Sequence, residues 1–459
     1  MLTKEENELL TRVGPGTPMG QVMRQYWLPA LLSSELPEPD CAPLRMRLLG
    51  EDLIAFRDSS GRVGMLAANC PHRGASLFFG RNEESGLRCV YHGWKFDVSG
   101  ACVDMPNEPV ESSFKHKVKA VAYPCVERAG VVFVYMGPRE VPPPLPELEW
   151  MSVPESHRIV AKRVQFTNYA QSIEGEIDSS HLGFTHSRVS DHRPLTPEEI
   201  AALPSAGRYT RQDRHPRFDV LDTDYGVLIA ARREAEADSY YYRISQFLMP
   251  FWTLVASGTE RRDPTRGTRA FIPIDDESVL VFATSFHPLR PLTDVEREPL
   301  KVGGGAGFVG EDHFRPATSA PFGAWIPIAA AENDYLLDRE AQRTTHYAGM
   351  AEFWAQDAAL QEGMGKIYDR RMEHLGSSDT AIIRMRARLI GAAKAMRESG
   401  AVPPGVDEPE LYRVRASVAV LPRDESWVPA TDHLRRVIPG TNPGGPEVGL
   451  AVPSTHQRV

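Results

Sequence analysis

Two short segments constrain this chain more than any other feature: NCPHRGASL, which carries Cys70 and His72, and RCVYHGWKF, which carries Cys89 and His92. Together they read Cys-x-His, sixteen residues, then Cys-x-x-His. Each pair sets one thiolate and one imidazole on a tight loop. A glycine follows closely in each, Gly74 and Gly93, and permits backbone angles closed to other residues. Two loops of this kind converge on one site.

Two thiolates can hold one iron while two imidazoles hold the other, the ligand division of a Rieske [2Fe–2S] centre. The competing metal is zinc in a Cys₂His₂ site, since both ligand types suit it. Such zinc sites group their cysteines and histidines by type, whereas each loop here is mixed. The bland alternative, four unrelated residues of a β domain, stands against the shared spacing on two glycine-bearing turns.

Around these loops, from Leu44 to Tyr135, short β-branched and apolar runs are cut by turns, as in RMRLLGEDLIAFRDSSGRVGML, and an all-β domain is expected. The proline density of PREVPPPLPELEW, Pro138 to Trp150, forbids regular structure and marks a boundary. Beyond it lie a helical stretch near Asn168 to His181, strands such as SYYYRISQFLMPFWTLVASG and ESVLVFATSF, and helices from Ala351 to about Arg397. The order is α+β. We expect a helical extension over 1–43, the Rieske domain over 44–140, a catalytic domain over 141–400 and a loose tail over 401–459.

A length of 459 residues with 42% hydrophobic content suffices for two or three packed domains. The net charge of −9, without any cluster of Lys and Arg interleaved with aromatics, argues against nucleic acid as a partner. The longest apolar stretch, near Val131 to Met136, falls far short of the roughly 20 residues that cross a bilayer, and MLTKEENELL has no secretory apolar region. No membrane association and a cytoplasmic location are expected. Five cysteines are too few and too odd for a disulfide framework, which points to a reducing compartment.

A second constellation follows the proline-rich spacer: NYAQSIEGEIDSSHLGFTH, Asn168 to His186. At about 100° per residue Glu174, Asp178 and His181 share one helical face. His186 comes five residues after His181, and Gly183 permits a break that brings the two imidazoles together. Two histidines and a carboxylate form the facial triad of Fe(II) oxygenases, which leaves positions open for dioxygen. A solvated acidic face on an amphipathic helix is the plain alternative.

In this order the two constellations resemble the Rieske non-haem iron aromatic ring-hydroxylating oxygenases, large (alpha) subunit. The likeness runs roughly from TRVGPGTPMGQVMRQYWLPALL to Arg397. It is similar above all to the phthalate 4,5-dioxygenase branch, in GRNEESGLRCVYHGWKFD, YYYRISQFLMPFW and ENDYLLDREAQRT with MGKIYDRRMEHLGSSD. The resemblance implies a helix-grip catalytic domain, one [2Fe–2S] cluster and one mononuclear Fe(II) per subunit, dioxygen as co-substrate, and a homotrimer or stacked hexamer. It implies electron passage from the cluster of one subunit to the iron of its neighbour. Asp178 would then be a relay and no ligand, bonded to an iron-ligating histidine of its own subunit and to a neighbour's His92. The third iron ligand implied is Asp357, in FWAQDAALQEGMG with Glu362 five residues on; Asp334 and Asp338 are alternatives whose commoner role is on the surface.

Arg243 sits in the apolar run SYYYRISQFLMPF, where an arginine is costly to bury unless a carboxylate faces it, from the substrate or from the protein. Arg208, Arg211 and Arg214 could add a second clamp, though exposure is commoner. Asn168 resembles the family's asparagine near the iron; a helix cap is the alternative. Gly305, Gly307 and Gly310 spell a dinucleotide fingerprint without the strand and helix that would make it one. A mobile loop near the active site is the better reading; the resemblance implies that nicotinamide is oxidised by a separate NAD(P)H-dependent flavin/iron–sulfur reductase. The expected reaction is cis-dihydroxylation of an aromatic carboxylate such as a phthalate or substituted benzoate. A monooxygenase or O-demethylase of an aromatic acid is the close alternative. A Rieske electron carrier is the distant one, since it needs little beyond the first domain.

Overall fold

The alternating run RMRLLGEDLIAFR becomes a hairpin of strands Leu44–Leu48 and Glu51–Arg57, with Leu49 and Gly50 at φ +48° and +77° closing the two-residue turn. The computed structural model describes residues 1–441 apart from 194, 195, 197, 200–204, 257–263 and 306. Val63–Ala67 and Ala122–Tyr123 extend the hairpin to a four-stranded antiparallel sheet. A second four-stranded sheet, Arg81–Glu83, Gly86–Arg88, Lys95–Phe96 and Cys102–Asp104, grows from the region between them. The two cysteine–histidine loops project from this β unit.

A third sheet ties the unit to the start of the chain. The apolar run Trp27–Leu32 pairs with Val131–Tyr135, which also pairs with Cys125–Arg128. The first 43 residues are therefore no separate helical extension. They contribute helices Lys4–Thr11 and Pro18–Arg24, which pack on the later helix Thr380–Ser399, and then this strand. WLPALL is apolar at every position, which suits a strand buried on both faces better than a helix with one wet side.

After the prolines, an antiparallel sheet of eight strands forms the catalytic half. Its order is Arg158–Gln165, Val279–Phe286, Arg266–Pro273, Trp252–Leu254, Ser239–Leu248, Gly226–Glu234 and Arg217–Thr223, with Ser417–Pro422 also paired to Ser239–Leu248. The expected loose tail from 401 is thus corrected. SVAVLP is buried at its first five positions and belongs to the central sheet; residues 442–459 of that tail lie outside the described residues. Helices Phe353–Gly363 and Thr380–Ser399 each pack against Tyr169–Ile177 by the sheet, with Thr380–Ser399 burying Met385, Leu389, Ile390 and Ala393 and ending at left-handed Gly400. Each large side chain so buried contributes about 1.5–3 kcal/mol. The class is α+β, an all-β unit followed by an antiparallel sheet with helices. Among the described residues no helix is long and apolar enough to cross a membrane.

Candidate metal centres

The two cysteine–histidine loops repeat one backbone device. The Cys70 amide donates to the Ala75 carbonyl at 2.8 Å and the Gly74 amide to the Cys70 carbonyl at 2.9 Å. The Cys89 amide donates to the Trp94 carbonyl at 2.8 Å and the Gly93 amide to the Cys89 carbonyl at 2.9 Å. Gly74 and Gly93 take φ of +75° and +81°, and at Gly93 an added Cβ would meet Pro106 at 2.5 Å.

Cys70 and Cys89 are buried at the base of these loops. The His72 and His92 rings lie 4.4 Å apart, and Trp94 stacks on His72 at 4.2 Å. Burial, with the Cys89 thiol alongside, pushes the Cys70 thiol up to about 11, so this thiol needs a positive charge beside it before it ionises at neutral pH. Nδ1 of His72 is buried with no hydrogen-bond partner. Two thiols and two imidazoles, one with an orphaned nitrogen, fit a [2Fe–2S] cluster.

The second constellation forms differently from the single helical face expected. Helix Tyr169–Ile177 ends before Asp178, whose ψ of 120° turns the chain out, and His181 opens a short 3-10 turn, His181–Gly183. The amides of Phe184 and Thr185 both donate to the His181 carbonyl at 2.9 Å, folding the chain back so that His186 meets His181. Nε2 of His181 and Nε2 of His186 are 3.1 Å apart; Oδ1 of Asp357, from helix Phe353–Gly363, lies 3.6 and 3.2 Å from them.

The far side of each imidazole fixes its tautomer. Nδ1 of His181 faces Oδ2 of Asp178 at 3.2 Å, and Nδ1 of His186 faces Oε1 of Gln356 at 2.7 Å. Gln356 is oriented in turn, because its Nε2 donates to the Met350 carbonyl at 2.7 Å. Both protons then reside on Nδ1, and two Nε2 lone pairs and a carboxylate oxygen point together without a hydrogen to share. Three such atoms, all within 4.8 Å of one another, form a group that could hold a metal ion. Burial pulls His181 down, yet its bond to Asp178 and the charge of Asp357 hold it above the usual histidine value, as expected where the surroundings favour positive charge.

Other expected residues fall elsewhere. Glu174 turns away from the histidines: its Oε1 accepts from Nε of Arg370 at 2.9 Å and Nε of Arg386 at 2.8 Å. Asn168 does not serve the metal, a correction with a plain cause. It is the N-cap of Tyr169–Ile177, its Oδ1 accepting from the Ala170 amide, while Nδ2 donates to the carbonyls of Thr11 and Asp276. No donor remains for a bound oxygen species. Asp338 caps helix Arg339–Thr344, and Glu362 accepts from the Phe166 amide and the Tyr335 hydroxyl.

A cavity of about 290 Å³ opens on His181, His186 and Asp357, walled also by Asp178, Glu176, Arg243, Phe308 and Phe353. A second, of about 360 Å³, shares Leu182, His186, Arg243 and Phe353 with it and continues to Arg211 and Arg214. Arg211 pairs with Asp191, Arg214 binds His192 and the Asp191 carbonyl, and Arg208 pairs with Glu236. Gly305 lines the first cavity, and Gly307, at φ +99°, lies against Arg269, so the glycine-rich segment walls the metal pocket; its Ala306 lies outside the described residues. The sequence offered no periodic signal for Gln356 or for Phe353, which stacks on His186 at 3.7 Å.

Comparisons with known proteins agree with this picture. Residues 26–121 match the Rieske [2Fe-2S] domain family, and residues 134–436 match the family described as LigXa C-terminal domain like. The chain is 41% identical over 443 residues to the 3-chlorobenzoate-3,4-dioxygenase oxygenase subunit of Comamonas testosteroni, covering 94% of this chain and 98% of that one. It is 36% identical to the phthalate 4,5-dioxygenase oxygenase subunit of Pseudomonas putida, over 93% and 94% of the two chains. Among solved structures, the oxygenase in the reduced oxygenase–ferredoxin complex of carbazole 1,9a-dioxygenase shares the fold, with a TM-score of 0.52 at 20% identity over 84% of this chain and 93% of that one.

Proposed function

Because this chain belongs to the Rieske non-haem iron aromatic ring-hydroxylating oxygenases, as an oxygenase (alpha) subunit, we propose that it cis-dihydroxylates an aromatic carboxylate of the phthalate or substituted-benzoate class. In the net reaction arene, dioxygen, two electrons and two protons become the diol. The electrons come from a separate NAD(P)H-dependent flavin/iron–sulfur reductase.

The observation that carries the substrate class is Arg243. Its guanidinium lies on the wall shared by the two cavities, and its one hydrogen bond is a long one, 3.4 Å, to Oγ of Ser179. Among the described residues no carboxylate is paired with it. Burial lowers its pKa from the usual arginine value, while Tyr241 and Asp178 act against that; a guanidinium keeps its proton in proteins, so the group is a cation. A benzoate anion bonded there by a charge-assisted pair puts its ring in the cavity beside His181 and His186.

Cys70, His72, Cys89 and His92 would hold the cluster, and His181, His186 and Asp357 the mononuclear iron; when bound, the cluster supplies electrons and the iron activates dioxygen. Asp178 fixes Nδ1 of His181, while Ser180 donates to its other oxygen through both amide and hydroxyl. Lone pairs remain on that carboxylate to accept from His92 of a neighbouring copy, which supports a homotrimer or stacked hexamer as the working assembly. The five free cysteines support a cytoplasmic setting.

Arg243→Gln tests the reading. Against a panel of phthalates and benzoates it should raise KM by about 10- to 100-fold, the worth of a charge-assisted bond, and leave uncharged ester analogues unaffected. Labelled dioxygen should deliver both its atoms to the ring. Equal loss for acids and esters contradicts the carboxylate assignment, and a single labelled oxygen contradicts dihydroxylation.

A further inference from the structure

Behind Arg243 lies a second arginine that the reaction as described leaves without a task. Arg233, on strand Gly226–Glu234, is 1% exposed. It pairs across the sheet with Tyr241, two residues before Arg243 on strand Ser239–Leu248, so the two guanidinium groups rise from the same face as diagonal neighbours. Both reach Ser179. Arg233 donates from Nη2 to the Ser179 carbonyl at 2.7 Å and from Nη1 to its hydroxyl at 3.4 Å, and Arg243 donates to that hydroxyl at 3.4 Å.

No carboxylate is bonded to Arg233 among the described residues, and its Nε is buried with no partner. Burial, with the neighbouring charge of Arg243, lowers its pKa to about 10, which leaves it charged at neutral pH, and the groups acting the other way are Tyr241, Asp213 and Asp178. Asp213 is itself engaged, its carboxylate accepting from the Glu234 and His215 amides. A buried guanidinium without a bonded counter-ion costs several kcal/mol unless its surroundings compensate, so its position at this turn calls for a role.

We propose that Arg233 is a positioning residue for Asp178: by clamping the Ser179 carbonyl from the sheet it fixes the Asp178–Ser180 turn, and with it the aim of the Asp178 carboxylate at Nδ1 of His181. The clamp matters because this turn has little other regular support. Helix Tyr169–Ile177 has ended and the 3-10 turn at His181 has not begun. Ser180 holds Asp178 only from within the turn, through a 2.7 Å amide bond and a 2.6 Å hydroxyl bond. From the sheet, Arg233 supplies the short bond at 2.7 Å, and Arg243 adds only a 3.4 Å contact to the Ser179 hydroxyl. The role rests on the assignment of His181 as a ligand.

Two variants test it, each read by affinity for ferrous iron in chelator competition, by the Rieske EPR signal and by thermal unfolding. Arg233→Gln keeps a donor and loses the charge; Arg233→Lys keeps the charge and loses the paired donors. We expect Arg233→Gln to keep the Rieske signal, to weaken iron binding by about 10- to 100-fold, the usual cost of losing an outer partner of a metal-bound histidine, and Arg233→Lys to recover most of that loss. A folded Arg233→Gln protein that binds iron like the wild type overturns the proposal. So does joint loss of cluster, iron and cooperative unfolding in both variants, which assigns Arg233 to folding alone. Failure of the wild-type chain itself to bind iron at this site overturns the ligand assignment instead.

Discussion

Oε1 of Gln356 lies 2.7 Å from Nδ1 of His186, and the same amide group is tied through its nitrogen to the Met350 carbonyl. The acceptor is thereby oriented, and with it the histidine's tautomer. Its neighbour in sequence, Asp357, faces the other ring nitrogen of the same histidine at 3.2 Å. Two consecutive residues of one helix therefore grip His186 from both sides.

Gln356→Leu should accordingly lower ferrous-iron affinity by about 10- to 100-fold, with the cluster signal unchanged, because an apolar side chain leaves Nδ1 without its acceptor. Gln356→Glu, which keeps an acceptor oxygen, should recover much of it. Chelator competition on the purified variants measures both.

The cluster loops behave as an independent site in this account. Cys89→Ser should abolish the Rieske EPR signal and the red-brown colour while the chain still binds one ferrous ion, since His181 and His186 come from the turn after helix Tyr169–Ile177 and Asp357 from helix Phe353–Gly363, outside the β unit of the cluster loops. Simultaneous loss of both sites would show that the two units do not fold separately around their metals.

Glu174 was placed by sequence on the metal's face, and the structure gives it a different task. It bridges Arg370 and Arg386, both buried, and so joins helix Tyr169–Ile177 to Thr380–Ser399. Breaking a buried ion pair on one side costs about 3–5 kcal/mol. Glu174→Gln should therefore lower the unfolding midpoint by several degrees in calorimetry and leave ferrous-iron affinity near that of the wild type.

Asp178→Asn tests the relay role. Both metal sites should remain occupied, because the amide oxygen can still accept from Nδ1 of His181, while product formation with the natural reductase nearly ceases. Full turnover in that variant would contradict the role given to the carboxylate.

What could be read from the sequence follows how local each feature is. Cys70, His72, Cys89 and His92 sit on two self-contained turns, each closed by its own backbone bonds and a left-handed glycine, so spacing alone displays them. His181 and His186 were visible as a pair, but the helical-face argument that joined Glu174 to them failed. The helix stops at Ile177, and the residues that follow, DSSHL, hold no glycine or proline to signal the stop, while Gly175 lies inside the helix. Asp357 lies 171 residues beyond His186 and carries no pattern of its own; only likeness to a family placed it. Asn168 followed the local rule instead, an asparagine opening a helix caps it. The strand Ser417–Pro422 escapes a sequence reading because five buried residues stand between polar stretches, and the glycine-rich end of the chain from Gly440 colours the whole segment as a tail.

The most direct test of the whole account is metal analysis of Asp357→Ala beside the wild type, by iron and sulfide content together with Rieske EPR. Two irons in the cluster and one at the triad make three per wild-type chain; the variant should hold two, with sulfide and cluster signal intact and no oxygenated product. A variant that keeps its third iron, or its activity, would contradict the assignment of His181, His186 and Asp357 as the oxygen-activating centre.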